Sequence, residues 1–362
     1  MKTIVTDDIF SECKNLLLMF TDTEYVRRHI IMSYPNLSDA KRKSVPSRIK
    51  SHVVQGMQFL DETDENIYTA PLTLFYAINN FAKAIFLVYN PTKSIAGSHG
   101  IELGKQIKDN LNDINSIGKV SIVAGKKGTF RNLLDAVGDS IEPETEVCLK
   151  DIFSIVPELS EIYSLRYHEE PNAFLLQRME SYEYEINLHF PIDGKIDYSD
   201  KFSLLAENGC IISITGSEAI HIYLSAAHMP ENHSKCFASD VFGNEYACGG
   251  ITVNGKRSML SKITSLYICF YAFSMLVRYY PEKWIDFCNT ADATIIRKLI
   301  VYCRREMLVE VLQLLNMETY HFSTKMEVLR KEIKQDELWD LVKKAIRDEK
   351  FRSGRSPLTE LL

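Results

Sequence analysis

The sequence predicts an α+β fold, a mainly helical bundle core with an antiparallel β-sheet region inserted into it. Two long apolar blocks, 71–90 and 259–280, and the amphipathic run ATIIRKLIVYCRREMLVEVLQLL (293–315) repeat their apolar positions at helical spacing. Between about 182 and 255 the pattern changes to apolar–polar alternation broken by turn residues, the signature of half-buried strands. Apolar residues make up 46% of the 362 and charged ones 25%, so the chain can bury a sizeable core and lies far from the composition of a disordered segment.

Taken in order, residues 8–34 and VPSRIKSHVVQGMQFL (45–60) read as helices, the second closing at the acidic turn DETDEN. The block 71–89 has Pro71 where a first helical turn tolerates proline, and Asn90-Pro91 stops it because the residue before proline avoids the α region. From 118 onward VSIVA (120–124) and EVCL (146–149) read as short strands, each followed by a helical stretch, FRNLLDAVG and DIFSIVPELSEIYSL. YEINLHF, CIISITG, IHIYLSA and GGITVNG supply the antiparallel strands. The helix over 259–280 ends at Pro281, and a charged helix around Trp339 precedes the polar tail RSGRSPLTELL. This divides the chain into an N-terminal helical part (1–117), an α/β insertion (118–257) and a C-terminal helical part (258–362) that packs on the first.

Composition also narrows function. A net charge of −6 argues against a protein that coats nucleic acid non-specifically and leaves room only for a confined basic contact. Eight scattered cysteines without a C-x-x-C fit reduced thiols, and MKTIVTDDIFSECKNLLLMF lacks the apolar run of an export signal, so the expected location is the cytoplasm. Residues 71–90 carry Asn79, Asn80 and Lys83 and 263–277 are too short to span, so no membrane partner is expected.

Two polar stripes carry the functional reading. Tyr76, Asn80 and Lys83, with Asn79 beside them, share one face of an otherwise apolar helix. In ITSLYICFYAFSMLVRYYP the residues Thr264, Tyr267, Tyr271, Ser274 and Arg278 form a second stripe at spacings of three and four. If the stripes meet, Lys83 and Arg278 bring two cations into a partly enclosed space, where an anion or a carboxylate must neutralise them. Phosphate suits an Arg fork and a Lys point charge. Tyr76 and Asn80 are the polar neighbours of such a phosphate, and His99 in SHG and Arg278 are the candidate catalytic residues, His99 as acid or base. Trp284 and Tyr279 are expected to pack the turn after Arg278.

Other patterns point elsewhere. GGITVNGKRS (249–258) has Arg257 where a P-loop holds Ser or Thr, and reads as a hairpin with an Asn-Gly turn. His228, His233, Cys236 and Cys248 lack the paired spacing of a zinc site, so no metal and no cofactor are expected. Glu332-Ile-Lys334 sits in a charged helix and reads as a solvated face. KRKSVPSRIK (41–50) and GKKGTFR (125–131) are basic clusters that either track a phosphate backbone or serve solubility.

PLTLFYAINNFAKAIFL followed by SHG, then KKGTFRNLL with a downstream DIFSIVPEL, then FSMLVRYYPEKW, resemble in order the blocks of the YaaC-like family of bacterial proteins over roughly 70 to 285. More loosely, the paired helices with a trailing histidine look like the HEPN superfamily of helical bundles, many of them ribonuclease toxins or phage-defence components. Their signature places four to six residues between Arg and His, whereas Arg48-Ile-Lys-Ser-His52 has three and Arg166-Tyr-His168 has one. Together with the phosphate reading of the two stripes, the expectation is an intracellular protein that binds a nucleotide or RNA phosphate, and the looser likeness implies a role in stress response or phage defence. The alternatives are a non-catalytic scaffold or homo-oligomeric interaction protein, and a metal-independent ribonuclease.

Overall fold

The structure, a computed structural model, describes residues 2–109, 113–180, 183–188, 201–207, 210–215, 219–223, 236–239 and 244–323. In chain order it runs β1 (Lys2–Val5), α1 (Ile9–Leu18), α2 (Thr23–Ser33), α3 (Asp39–Asp61), α4 (Ala70–Tyr89), β2 (Ile101–Leu103), α5 (Lys105–Asp109), β3 (Ser121–Ala124), α6 (Thr129–Val137), β4 (Glu146–Cys148), α7 (Leu149–Ser154) and α8 (Ser160–Tyr167). There follow β5 (Ala173–Leu175), β6 (Gln177–Glu180), β7 (Glu183–Asn187), α9 (Ser203–Glu207), β8 (Ile211–Thr215), β9 (Ala219–Tyr223), β10 (Phe237–Ser239), β11 (Glu245–Cys248), β12 (Ile251–Val253) and β13 (Lys256–Ser258). The described chain closes with α10 (Lys262–Tyr279), α11 (Pro281–Cys288), α12 (Asp292–Asn316) and β14 (Tyr320–Ser323). It is an α+β fold with a helical core and several small antiparallel sheets, as the pattern of periodicities predicts.

Contacts separate two compact units, Met1–Glu12 with Glu318–Leu362, and Cys13–Met317. In the first, β1 pairs in parallel with β14, Lys2 opposite Tyr320, a pairing of segments far apart in the chain that no sequence pattern announced. The helix expected around Trp339 lies outside the described residues.

The larger unit is organised by α4. Its apolar surface is enveloped nearly all round, Leu74, Phe75, Ala77, Ile78, Phe81, Ala82 and Ala84 to Val88 each being almost inaccessible. It is long and apolar enough to cross a membrane, but 72% of its most apolar window is buried inside the protein, which identifies it as a core helix. α3 lies antiparallel against it: Thr63 bonds Thr73 just beyond α3, Phe59 stacks on Tyr76 and His52 reaches Asn80. Close approach is possible because Gly56 faces the Phe81 ring, where a Cβ would stand 2.7 Å from Cε1. α3 begins six residues earlier than the periodicity predicts and runs through Pro46.

α10 crosses α4 on another side, with Ser261 as its N-cap, held in turn by Asp139. It starts at Lys262, and Pro281 both follows its end and opens α11. Trp284 is buried and donates from Nε1 to the Ile67 carbonyl, whereas Tyr279 is 61% exposed and lies under the Arg278 guanidinium instead of packing the turn.

The strands expected between 118 and 255 are present: β2-β3-β4, β10-β11-β5 and β6-β7-β9-β8 are antiparallel sheets, and β12–β13 is a hairpin. Alternate residues Tyr184 and Ile186, Ile220 and Ile222 turn inward onto Phe174, Phe202 and Leu205, as a period of two requires. Val253 pairs with Lys256 across Asn254 and Gly255, both at positive φ (49° and 73°), so the P-loop look-alike is an Asn-Gly hairpin. Cys236 and Cys248 lie on neighbouring chain segments, and His228 and His233 lie outside the described residues. Among the described residues no group of three His, Cys, Asp or Glu is arranged to hold a metal ion.

Candidate functional site

The polar stripe on α4 divides between two partners. Asn79, 4% exposed, accepts a 3.1 Å hydrogen bond from the Tyr267 hydroxyl of α10. Burial holds that phenol far above the ordinary range of tyrosine, so it remains a neutral donor. Tyr76, at the edge of the same contact, accepts a long 3.5 Å contact from the Arg278 Nη1. Asn80 turns the other way: its Nδ2 donates to the Tyr76 carbonyl at 2.9 Å and its Oδ1 sits 3.1 Å from His52 Nδ1 on α3.

Lys83 completes the stripe without such a partner. It is half-buried, and among the described residues no carboxylate and no hydrogen-bond acceptor meets its ammonium. Burial therefore lowers its pKa below the usual lysine value, with no ion pair to oppose the shift. Arg278 is likewise without a carboxylate among the described residues. Its Nε donates to the Ser274 carbonyl at 3.2 Å, Nη2 lies 3.2 Å from the Met275 sulfur, and the guanidinium rests on Tyr279.

His99 is within the electrostatic influence of both cations. Its ring packs against Phe75 (centroids 5.2 Å apart) and Tyr271 (6.1 Å). Burial first, then the charges of Lys83 and Arg278, hold its pKa below the ordinary imidazole value, so it is neutral at pH 7. Tyr271 is pushed up to about 12 by burial. The position of His99 is set by a crossing of two loops: Gly125 N, Thr129 N and Phe130 N donate to the carbonyls of Gly100, Ser98 and His99 at 2.8–2.9 Å. That crossing needs glycine, because Gly128 has φ 128° and a Cβ there would strike the Gly100 backbone. The basic look of GKKG thus conceals a positioning device, and its Lys126 is engaged with Glu144 at 2.9 Å.

The structure accordingly brings Tyr76, Asn80, Lys83, His99 and Arg278 into one neighbourhood spanning α4, α10 and the loop before β2. Two residues join them that sequence spacing set aside, His52 and Arg48, one helical turn apart on α3. The pKa of His52 is lowered by burial, and the charges of Lys83 and Arg48 act in the same direction. Their i, i+4 spacing on the helix preceding the stripe was the available signal. Arg166 and His168, by contrast, take no part: Arg166 donates to the fully buried Asp292 at 2.8 Å, and His168 ends α8 at φ 54°.

Chemically, the arrangement is two unneutralised cations, a third on α3 and two neutral imidazoles, set among aromatic rings. Such a group attracts an anion, and Arg and Lys together suit tetrahedral oxyanions. The profile of the family described as YaaC-like Protein matches residues 18–315, which includes every residue of this neighbourhood. No curated protein and no solved structure matches the chain.

Proposed function

The chain belongs to the YaaC-like family, and from that premise and the site geometry we propose that it binds the phosphate of a nucleotide or RNA at Lys83 and Arg278. The single observation that carries this reading is a half-buried lysine with no counter-charge among the described residues, whose charge acts with that of Arg278 on His99. A buried pair of protein carboxylates would have removed the need for a ligand, and none is present there among the described residues. Arg278 supplies the fork and Lys83 the point charge, with the Tyr76 hydroxyl 3.5 Å from the Arg278 guanidinium. His99, its pKa held below the ordinary imidazole value, is the candidate proton acceptor of the alternative reading, metal-independent cleavage of RNA. A HEPN-like role in cytoplasmic stress response or phage defence rests on family analogy alone.

A second reading has its own support. The Asn79–Tyr267 bond is buried and joins α4 to α10, so that part of the stripe locks the core as a scaffold would require. The two readings apply to different residues and separate in one experiment. Isothermal titration of the protein with adenosine 5′-monophosphate and with a 5′-phosphorylated oligoribonucleotide should show binding that Lys83→Met and Arg278→Met each weaken tenfold or more. Equal affinity in all three proteins, or no binding by the wild type, refutes the phosphate site.

A further inference from the structure

His52 is a hydrogen-bonding group whose proton is placed by its neighbours. A backbone carbonyl only accepts, so the Asn80 amide must direct its NH2 group at the Tyr76 carbonyl, 2.9 Å away. That fixes Asn80 Oδ1 toward His52, at 3.1 Å from Nδ1. An amide oxygen also only accepts, and the neutral imidazole therefore carries its hydrogen on Nδ1. The remaining lone pair is on Nε2. Among the described residues it has no hydrogen-bond partner, although the ring is half-buried and its charged neighbours are Lys83 and Arg48.

We propose that His52 Nε2 accepts a hydrogen bond from a sugar hydroxyl of the bound phosphate compound, so that the site selects ribonucleotides over phosphates without a hydroxyl. The inference rests on the phosphate site proposed above and adds its specificity. A phosphodiester or a fully ionised phosphate offers acceptors alone, which Lys83 and Arg278 match and an imidazole lone pair does not. A donor within reach of a nucleotide phosphate is a ribose hydroxyl, the group by which proteins tell RNA from DNA. The Asn80 amide, about one helical turn before Lys83 on α4, holds the tautomer of His52 on α3.

The test compares adenosine 5′-monophosphate with 2′,3′-dideoxyadenosine 5′-monophosphate by calorimetry at pH 8, where the phosphate is doubly ionised. The wild type should bind the ribonucleotide about tenfold more tightly, the ratio expected of one well-made hydrogen bond. His52→Phe should bind both with the affinity the wild type has for the dideoxy compound. His52→Gln, whose amide oxygen can accept, should recover part of the preference and guards against a folding defect in the phenylalanine variant. A wild type without preference, or a phenylalanine variant that keeps it, overturns the role of His52. Loss of all binding, or a dideoxy affinity that Lys83→Met leaves unchanged, overturns the phosphate site as well.

Discussion

Replacing Lys83 by Met should stabilise the protein and weaken its hold on anions, a combination that a structural lysine does not give. Methionine keeps an unbranched apolar stem and removes only the ammonium. That ammonium is half-buried and meets no carboxylate among the described residues, and its charge lowers the pKa values of His52 and His99. Removing such a functional charge is expected to add about 0.5–2 kcal/mol. For a chain of 362 residues each 1 kcal/mol raises Tm by roughly 2 °C. Adding phosphate at a hundred times its Kd stabilises the wild type by about 2.7 kcal/mol. A variant that binds tenfold more weakly gains only about 1.4 kcal/mol at the same concentration. Scanning calorimetry with and without phosphate reads both effects. The pKa of Lys83 is lowered on folding, so the penalty on the wild type is full below its folded pKa and disappears as pH rises toward the ordinary lysine value of 10.5. The advantage of the variant should disappear over the same interval. A variant that instead loses about 3 kcal/mol or more, as when one member of a buried ion pair is removed, would show that Lys83 is neutralised by the protein itself and would refute the reasoning.

Other residues give further expectations. Tyr267→Phe leaves Asn79 Oδ1 buried without its donor and should cost about 1–3 kcal/mol in urea unfolding, with anion affinity unchanged. Gly128→Ala places a Cβ against the Gly100 backbone at positive φ, so it should displace the His99 loop and lower Tm. A variant as stable as the wild type would deny the crossing its role. Asp292→Ala strands Arg166 and removes the acceptor of the Ile117 N–H, and should cost about 3–5 kcal/mol. His52 and His99 both have pKa values lowered on folding, so the unfolded chain takes up those protons first. Stability should be full above about pH 6.5 and fall as pH drops through that value toward the folded pKa values, and a His52→Gln, His99→Gln double variant should flatten that part of the profile.

Much of the architecture was legible because it depends on periodicity. α4, α10 and α12 repeat their apolar positions every three or four residues over eighteen residues or more, and the β-rich region alternates with a period of two. What the sequence concealed are contacts between residues far apart. The pairing of β1 with β14 joins segments more than three hundred residues apart, and four residues of KTIV carry too little pattern to announce it. The start of α3 is hidden for a local reason, since Pro46 suggests a boundary that packing against α4 overrides.

The site was legible to the same degree. Spacing places Tyr76, Asn79, Asn80 and Lys83 on one face, but it cannot say that the face turns over two neighbours at once. Asn79 is directed at α10 and has become a strut, whereas Asn80, one residue and about 100° further round the helix, is directed at α3 and orders His52. A motif defined by the number of residues between Arg and His measures distance along the chain, and so passes over a histidine that reaches the site through an asparagine on another helix. The unneutralised charge of Lys83 is a stronger indication of function than the stripe, because polar stripes also arise to join helices. A half-buried ammonium that no described carboxylate meets is costly to keep, and a ligand that binds it offsets that cost.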